Sequence, residues 1–289
     1  MQISINSAEE FYNFLKYGGG DEETPYYGTT SDSLDVSINE DIDMIDYPID
    51  FVQPDTWYFN IEGNNKVISN MQMLSLNGKI LGLQSNHYVT NLTFQNIIIE
   101  TNFSFSFLCE SNNNAGGQGI LKNVKLNGFI SLTNEGYIMA QVQRLQNCSF
   151  SGTFWGISDS RAVQLLYGKT STSNCFIYCK FLYAAAFPCQ FFHKETNHNT
   201  NCFLIAENFY KKGTFYVQPG LFMYYHIENL IDGSDKANIY ASSMTTQKIP
   251  FQHIITTDAN WVDEDEYHTF VTKDKLKDIS YLQSLGWAI

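Results

Sequence analysis

Positive charge is scarce in this chain. Its 289 residues hold 17 Lys plus Arg against 30 Asp plus Glu, a formal net charge of −13. A nucleic-acid binder needs a basic footprint to displace counterions, and no such footprint is present. The same deficit argues against adhesion to anionic membranes. No apolar run approaches the ~20 residues of a bilayer span. The opening, Met1 to Glu10, has neither the basic segment nor the apolar core of a secretory leader. Cysteine is sparse and unpatterned: Cys109, Cys148, Cys175, Cys179, Cys189 and Cys202 include no C-x-x-C pair, and the C-x3-C of Cys175 and Cys179 lacks a histidine partner. Zinc and a disulfide framework are therefore not expected, and buried free thiols are. No Gly-x-Ser-x-Gly elbow or phosphate loop appears.

What the chain has is a recurring asparagine. Asn147-Cys-Ser-Phe150, Asn174-Cys-Phe-Ile177 and Asn201-Cys-Phe-Leu204 follow one another at intervals of 27 residues. The same pattern reads backwards through Asn123, Asn91 and Asn70 and forwards to Asn229. Residues one and three after each Asn are mostly apolar and the residue between is often polar, so each copy is a strand with one buried face. Each Asn stands where a turn enters that strand, and stacked amides can bond between neighbouring coils. Asn127-Gly128 and Ser151-Gly152 mark a second bend. A second motif, Ala140-Gln-Val142, Val163-Gln-Leu165 and Cys189-Gln-Phe191, sets a Gln between apolar residues and predicts an outward column of Gln141, Gln164 and Gln190. Repeats of this length with one shared strand motif indicate a solenoid rather than a β-sandwich. The predicted fold is an all-β, right-handed, single-stranded parallel β-helix with a short capping helix at each end.

The caps are legible too. Ser7-Ala-Glu-Glu10 forms a capping box opening a helix with Phe11, Phe14 and Leu15 on one side, and Gly18-Gly-Gly20 ends it. Thr272 caps a second helix running to Ser284, stopped by Gly286. The expected division is 1–50 for the first cap and lead-in strand, 51–235 for the β-helix, and 236–289 for the last coil, an acidic loop at 258–266 and the closing helix.

Ile5-Asn-Ser-Ala-Glu-Glu-Phe11, Glu40-Asp-Ile-Asp-Met44 and Phe59-Asn-Ile-Glu-Gly63 through Asn70 resemble the opening of GLUG-type β-helix proteins, bacterial and phage members of the pectate-lyase-like superfamily. Leu285-Gly-Trp287 is similar to their closing segment. Asn65 stands where these proteins have Gly, and the Gly-Leu-x-Gly repeats are poorly kept. The resemblance implies a scaffold. The calcium-binding Asp set and Arg base of pectate lyases, and the Asn-Thr-Asp, Asp-Asp and Gly-His-Gly motifs of polygalacturonases, are not found. Ser158-Asp-Ser-Arg161 reads as a turn, and Glu135, Asp159 and Glu195 fall near neighbouring coils without a demonstrable pairing. The expectation is a non-catalytic phage virion component, tail- or capsid-associated, contacting a host glycan. A bacterial surface adhesion module and a polysaccharide lyase or hydrolase are the alternatives. The expected glycan contacts are Gln141, Gln164 and Gln190, flanked by Tyr167 and His193. The expected partners are that surface glycan, other virion proteins or further copies of the chain in a trimer, with no cofactor and no metal.

Overall fold

The computed structural model describes the backbone of residues 1–54, 56–84, 86–109, 119–156 and 163–184 and of strands from residue 189 onward, with side chains through Cys179 and at Cys202. It is a parallel β-helix. Successive coils pair strand on strand in parallel, and each coil contributes to four stacks, here named faces I to IV in chain order.

The alternation seen in the sequence becomes four columns of inward side chains. Face I stacks Val36, Ile61, Val89, Leu121, Leu145 and Thr172. Face II stacks Ile42, Ile68, Phe94, Leu126, Phe150 and Ile177. Face III stacks Ile49, Met73, Ile99, Ile130 and Phe154. Face IV stacks Ile80, Phe107, Ile138 and Leu165. All of these are buried. Backbone pairing of faces II and III continues through Cys202–Lys211 to Met223–Ile231.

The corner between faces I and II carries the asparagines. Asn91, Asn123, Asn147 and Asn174 all have positive φ, from 51° to 56°. Asn tolerates this left-handed conformation better than other branched or bulky residues. Asn123 Nδ2 donates to Asn91 Oδ1 at 2.6 Å, and Asn147 Nδ2 donates to Asn123 Oδ1 at 3.0 Å. The column is longer at its start than the repeat suggested: Asn39 Nδ2 donates to Asn6 Oδ1 at 3.3 Å, and Asn64 Nδ2 donates to Asn39 Oδ1 at 3.5 Å. Asn70 and Asn229 do not belong to it. Asn70 follows Ser69, which pairs with Gln95, so it stands at the corner between faces II and III beside Asn96. Asn229 pairs with Asn208 on face III. Their Asn-apolar-x-apolar strings imitate the motif because every strand of the solenoid alternates.

Between Asn64 and Asn91 the amide chain is replaced by Glu62. Its carboxylate accepts from Asn91 Nδ2 at 3.0 Å, Thr90 Oγ1 at 2.8 Å and Asn64 N at 3.0 Å. Burial raises the carboxyl pKa, but these three hydrogen bonds outweigh it, and the net shift is downward from 4.5. A depressed folded pKa contributes stability that is complete above 4.5 and is lost as pH falls through the lower folded value. The wild-type advantage over Glu62→Gln is accordingly expected to shrink below about pH 4.5, read as converging urea midpoints at acid pH. A constant difference down to pH 2 to 3, by the same measurement, would oppose it.

The corner between faces IV and I is the surprise. Leu81, Leu108, Met139 and Leu166 stack there with φ of 53°, 50°, 47° and 57°, all fully buried. Bulky residues seldom adopt this conformation; here their side chains fill the core at the bend, and burial offsets the strain.

The first helix, Ala8–Tyr17, closes one end. Ser7 Oγ accepts from Glu10 N at 3.2 Å, while Glu10 Oε2 accepts from Asn6 N at 2.6 Å, one residue before the cap. Phe14 packs on Trp57 and Phe59, and Gln53 Nε2 donates to Leu15 O at 3.0 Å. Gln2–Ile5, ahead of the helix, already pairs with Leu34–Ile38, so stacking begins well before residue 51. The expected helix Thr272–Ser284 and the acidic loop at 258–266 lie outside the described residues. Cys148, Cys175 and Cys202 form the inward column expected of them, and these with Cys109 and Cys179 are buried free thiols. Burial pushes the thiols of Cys148 and Cys175 well up.

Candidate functional site

Face IV carries Lys79, Ser106, Tyr137 and Gln164 on consecutive rungs, and Gln190 holds the next register position. Strand alternation turns Lys79, Ser106 and Tyr137 away from the core because Ile80, Phe107 and Ile138 turn in. Lys79, Ser106 and Tyr137 line a shallow groove of about 230 Å³ together with Asn77, Ser104, Glu135 and Gln141. Glu135 accepts a short hydrogen bond from the Tyr137 hydroxyl, and its carbonyl oxygen accepts from Phe105 N at 3.0 Å, which pins the entering loop to the rung below. The groove thus offers one ammonium, one carboxylate, two serine hydroxyls, a tyrosine ring and two primary amides.

The expected glutamine column is only partly present. Gln164 pairs with Tyr137, not with Gln141, and Gln190 pairs with Gln164. Gln141 is an extra residue at a register shift, with φ 60°. From there its Nε2 donates to Gln164 Oε1 at 2.5 Å. Gln164 is 6% exposed, so it holds Gln141 in place rather than meeting a ligand itself. Tyr167 is 8% exposed and cannot present its ring to a molecule lying on the rod. Tyr167 pairs with the buried Ala140, and a residue three beyond Gln164 does not share its face. The side chain of Gln190, and His193 altogether, lie outside the described residues, as do Asp159, Arg161 and Glu195.

Tyr137, Lys79 and Ser106 were missed by motif reading. A signal existed: the interval of 27 that separates Asn147 from Asn174 also separates Tyr137 from Gln164. Applying the asparagine period to the Gln strand would have placed Tyr137 on its rung.

Among the described residues no group of His, Cys, Asp and Glu is arranged to hold a metal ion, and no helix is long and apolar enough to cross a membrane. Comparison with family models, with curated proteins and with solved structures returns no match.

Proposed function

We propose that this chain is a non-catalytic, glycan-contacting rod, and that it serves as a tail- or capsid-associated component of a phage virion. The observation that carries the binding half is the face IV groove, lined by both the Tyr137 ring and the amide of Gln141, itself held by Gln164. A ring gives a sugar its apolar contact, and fixed amide donors and acceptors give it orientation. A two-carboxylate hydrolase needs a second acid facing the first; Glu135 is the carboxylate of the groove among the described residues, and it is engaged by Tyr137. That favours binding over turnover. The virion half, and the narrower affiliation with GLUG-type proteins, rest on the opening motifs and on the suitability of a stacked rod as a surface structure.

The test is a glycan array probed with multivalently displayed protein. Wild type is expected to select a limited set of saccharides, and Tyr137→Ala and Gln141→Ala to weaken that binding about tenfold or more while each variant stays folded, its melting temperature lowered by only about 2–4 °C for the one hydrogen bond lost. A blank array removes the binding reading. Release of reducing or unsaturated ends from a bound polysaccharide would replace it with an enzymatic one. Recovery of the chain in cell envelopes and not in purified particles would replace the virion with an adhesion module.

A further inference from the structure

Face I begins one rung earlier than the other faces, at Gln2–Ile5, and seven of its rungs lie in register from there to Ser171 and Ser173. Strand alternation gives it two outward columns, one on each side of the buried Val36 column. Four of these outward positions are charged. Asp35 on the second rung and Arg144 on the sixth stand in one column; Glu62 on the third and Lys122 on the fifth stand in the other. Tyr88 and Thr90 hold the fourth rung, midway between them. Lys122 and Arg144 are exposed, and among the described residues no carboxylate pairs with either.

We infer that face I is the surface on which a second copy of this chain packs, antiparallel, about a twofold axis at the Tyr88 rung. An axis lying across the two rods keeps each column opposite itself and reverses the order of the rungs. The second rung then meets the sixth, and the third meets the fifth. Asp35 of each copy faces Arg144 of the other, and Glu62 faces Lys122. Every charged position of the face meets its opposite, and none meets its like. Tyr88, 37% exposed, meets its own copy at the centre and supplies an aromatic contact inside the ring of charges. The neighbouring faces lack this symmetry. On face II a twofold axis that sets Lys125 on Asp41 leaves Asp43 opposite Asn127. From Gln72 to Trp155 the outward positions of face III carry Glu100 and no cation. The direction of packing follows from charge as well. Residues 1–65 hold 14 of the 30 Asp and Glu and one of the 17 Lys and Arg. A parallel pairing sets these acidic ends side by side; the antiparallel pairing carries them to opposite ends of the overlap. At about 4.8 Å per rung the seven rungs run roughly 30 Å, and two such faces bury on the order of 1,000 Å², the lower bound of a specific interface. Exposed ion pairs are individually weak and screened by salt. The dimer is therefore concentration-dependent and salt-sensitive. This inference is independent of the glycan reading, which concerns face IV.

Sedimentation velocity of the full chain from about 1 to about 100 μM is the experiment, a range suited to micromolar affinity. In about 20 mM salt the wild type is expected to pass from monomer to dimer, and in about 500 mM salt to stay monomeric. Arg144→Glu and Asp35→Arg each set like charges face to face and are expected to stay monomeric at low salt. The double variant Asp35→Arg/Arg144→Glu reverses both members of the pair and is expected to dimerise again. Lys125→Glu, on face II, is expected to dimerise as the wild type does. Circular dichroism confirms that each variant is folded; where Asp35→Arg is not, Lys122→Glu, which faces Glu62, replaces it and is expected to be monomeric. A wild type monomeric at every concentration in low salt overturns the inference. So does a folded Arg144→Glu or Lys122→Glu that still dimerises, a folded double variant that does not, or assembly to a trimer, since this pairing closes at two.

Discussion

Gly152→Ala is expected to destabilise the protein by about 2–6 kcal/mol, adding backbone strain to overpacking. Gly152 has φ 136°, a conformation that L side chains rarely adopt, and a Cβ there would stand 2.0 Å from the carbonyl oxygen of Gly128. That oxygen cannot retreat. Gly128 pairs with Gly152 above and with Ile97 below, and a Cβ on Gly128 would itself meet Ile97 O at 2.0 Å. The two glycines are a tight bend repeated on consecutive coils, so strain at one rung passes to the next. Gly136→Ala is the comparison, since its Cβ would meet the Leu132 side chain, which can turn aside. Urea unfolding of the three proteins checks this. A Gly152→Ala midpoint within error of wild type would show that the bend is softer than its geometry.

The second large effect is expected at Asn123, the middle of the amide column. Asn123→Ala removes the bonds to Asn91 and Asn147, at about 1 kcal/mol each, and leaves alanine in the left-handed region at a further 1–2 kcal/mol, about 3–4 kcal/mol together. Asn123→Gly loses the amides but not the conformation, and is expected to cost about 2 kcal/mol or somewhat more, because glycine is looser when unfolded. The order wild type, Gly, Ala in thermal midpoint separates the two contributions. Equal losses for Ala and Gly would mean that φ at this corner carries no penalty, and no loss for either would mean that the column is ornamental to stability.

Much of the candidate site was not legible because motif and rung are different things. Val163-Gln-Leu165 and Ala140-Gln-Val142 look alike as strings, yet the first lies on a straight face and the second rounds a corner containing an extra residue. A one-residue difference in register exchanges the two faces of a strand, and the extra residue moved Gln141 off the column, while Tyr167 fell opposite the buried Ala140. The left-handed corner of Leu81, Leu108, Met139 and Leu166 gave no warning, since Leu and Met do not announce positive φ as Asn and Gly do. Asn6, Asn39 and Asn64 escaped notice for the opposite reason: their strands begin differently, and only stacking puts their amides in line.

The parallel solenoid, the inward thiols and apolar columns, the asparagine corner from Asn91 to Asn174 and the first capping helix can all be read along the chain. Each of these is written in local chemistry: alternation at period two, a residue tolerant of left-handed backbone, a cap hydroxyl followed by a glutamate. Which residues share a rung emerges from the folded stack alone. Loops of unequal length separate the strands, so sequence distance does not give spatial neighbours, and the register is fixed by the packing of all four columns at once. That packing set Tyr137 beside Gln164, put Glu62 in the gap of the amide ladder, and gathered Asp35, Glu62, Lys122 and Arg144 onto a single outer face.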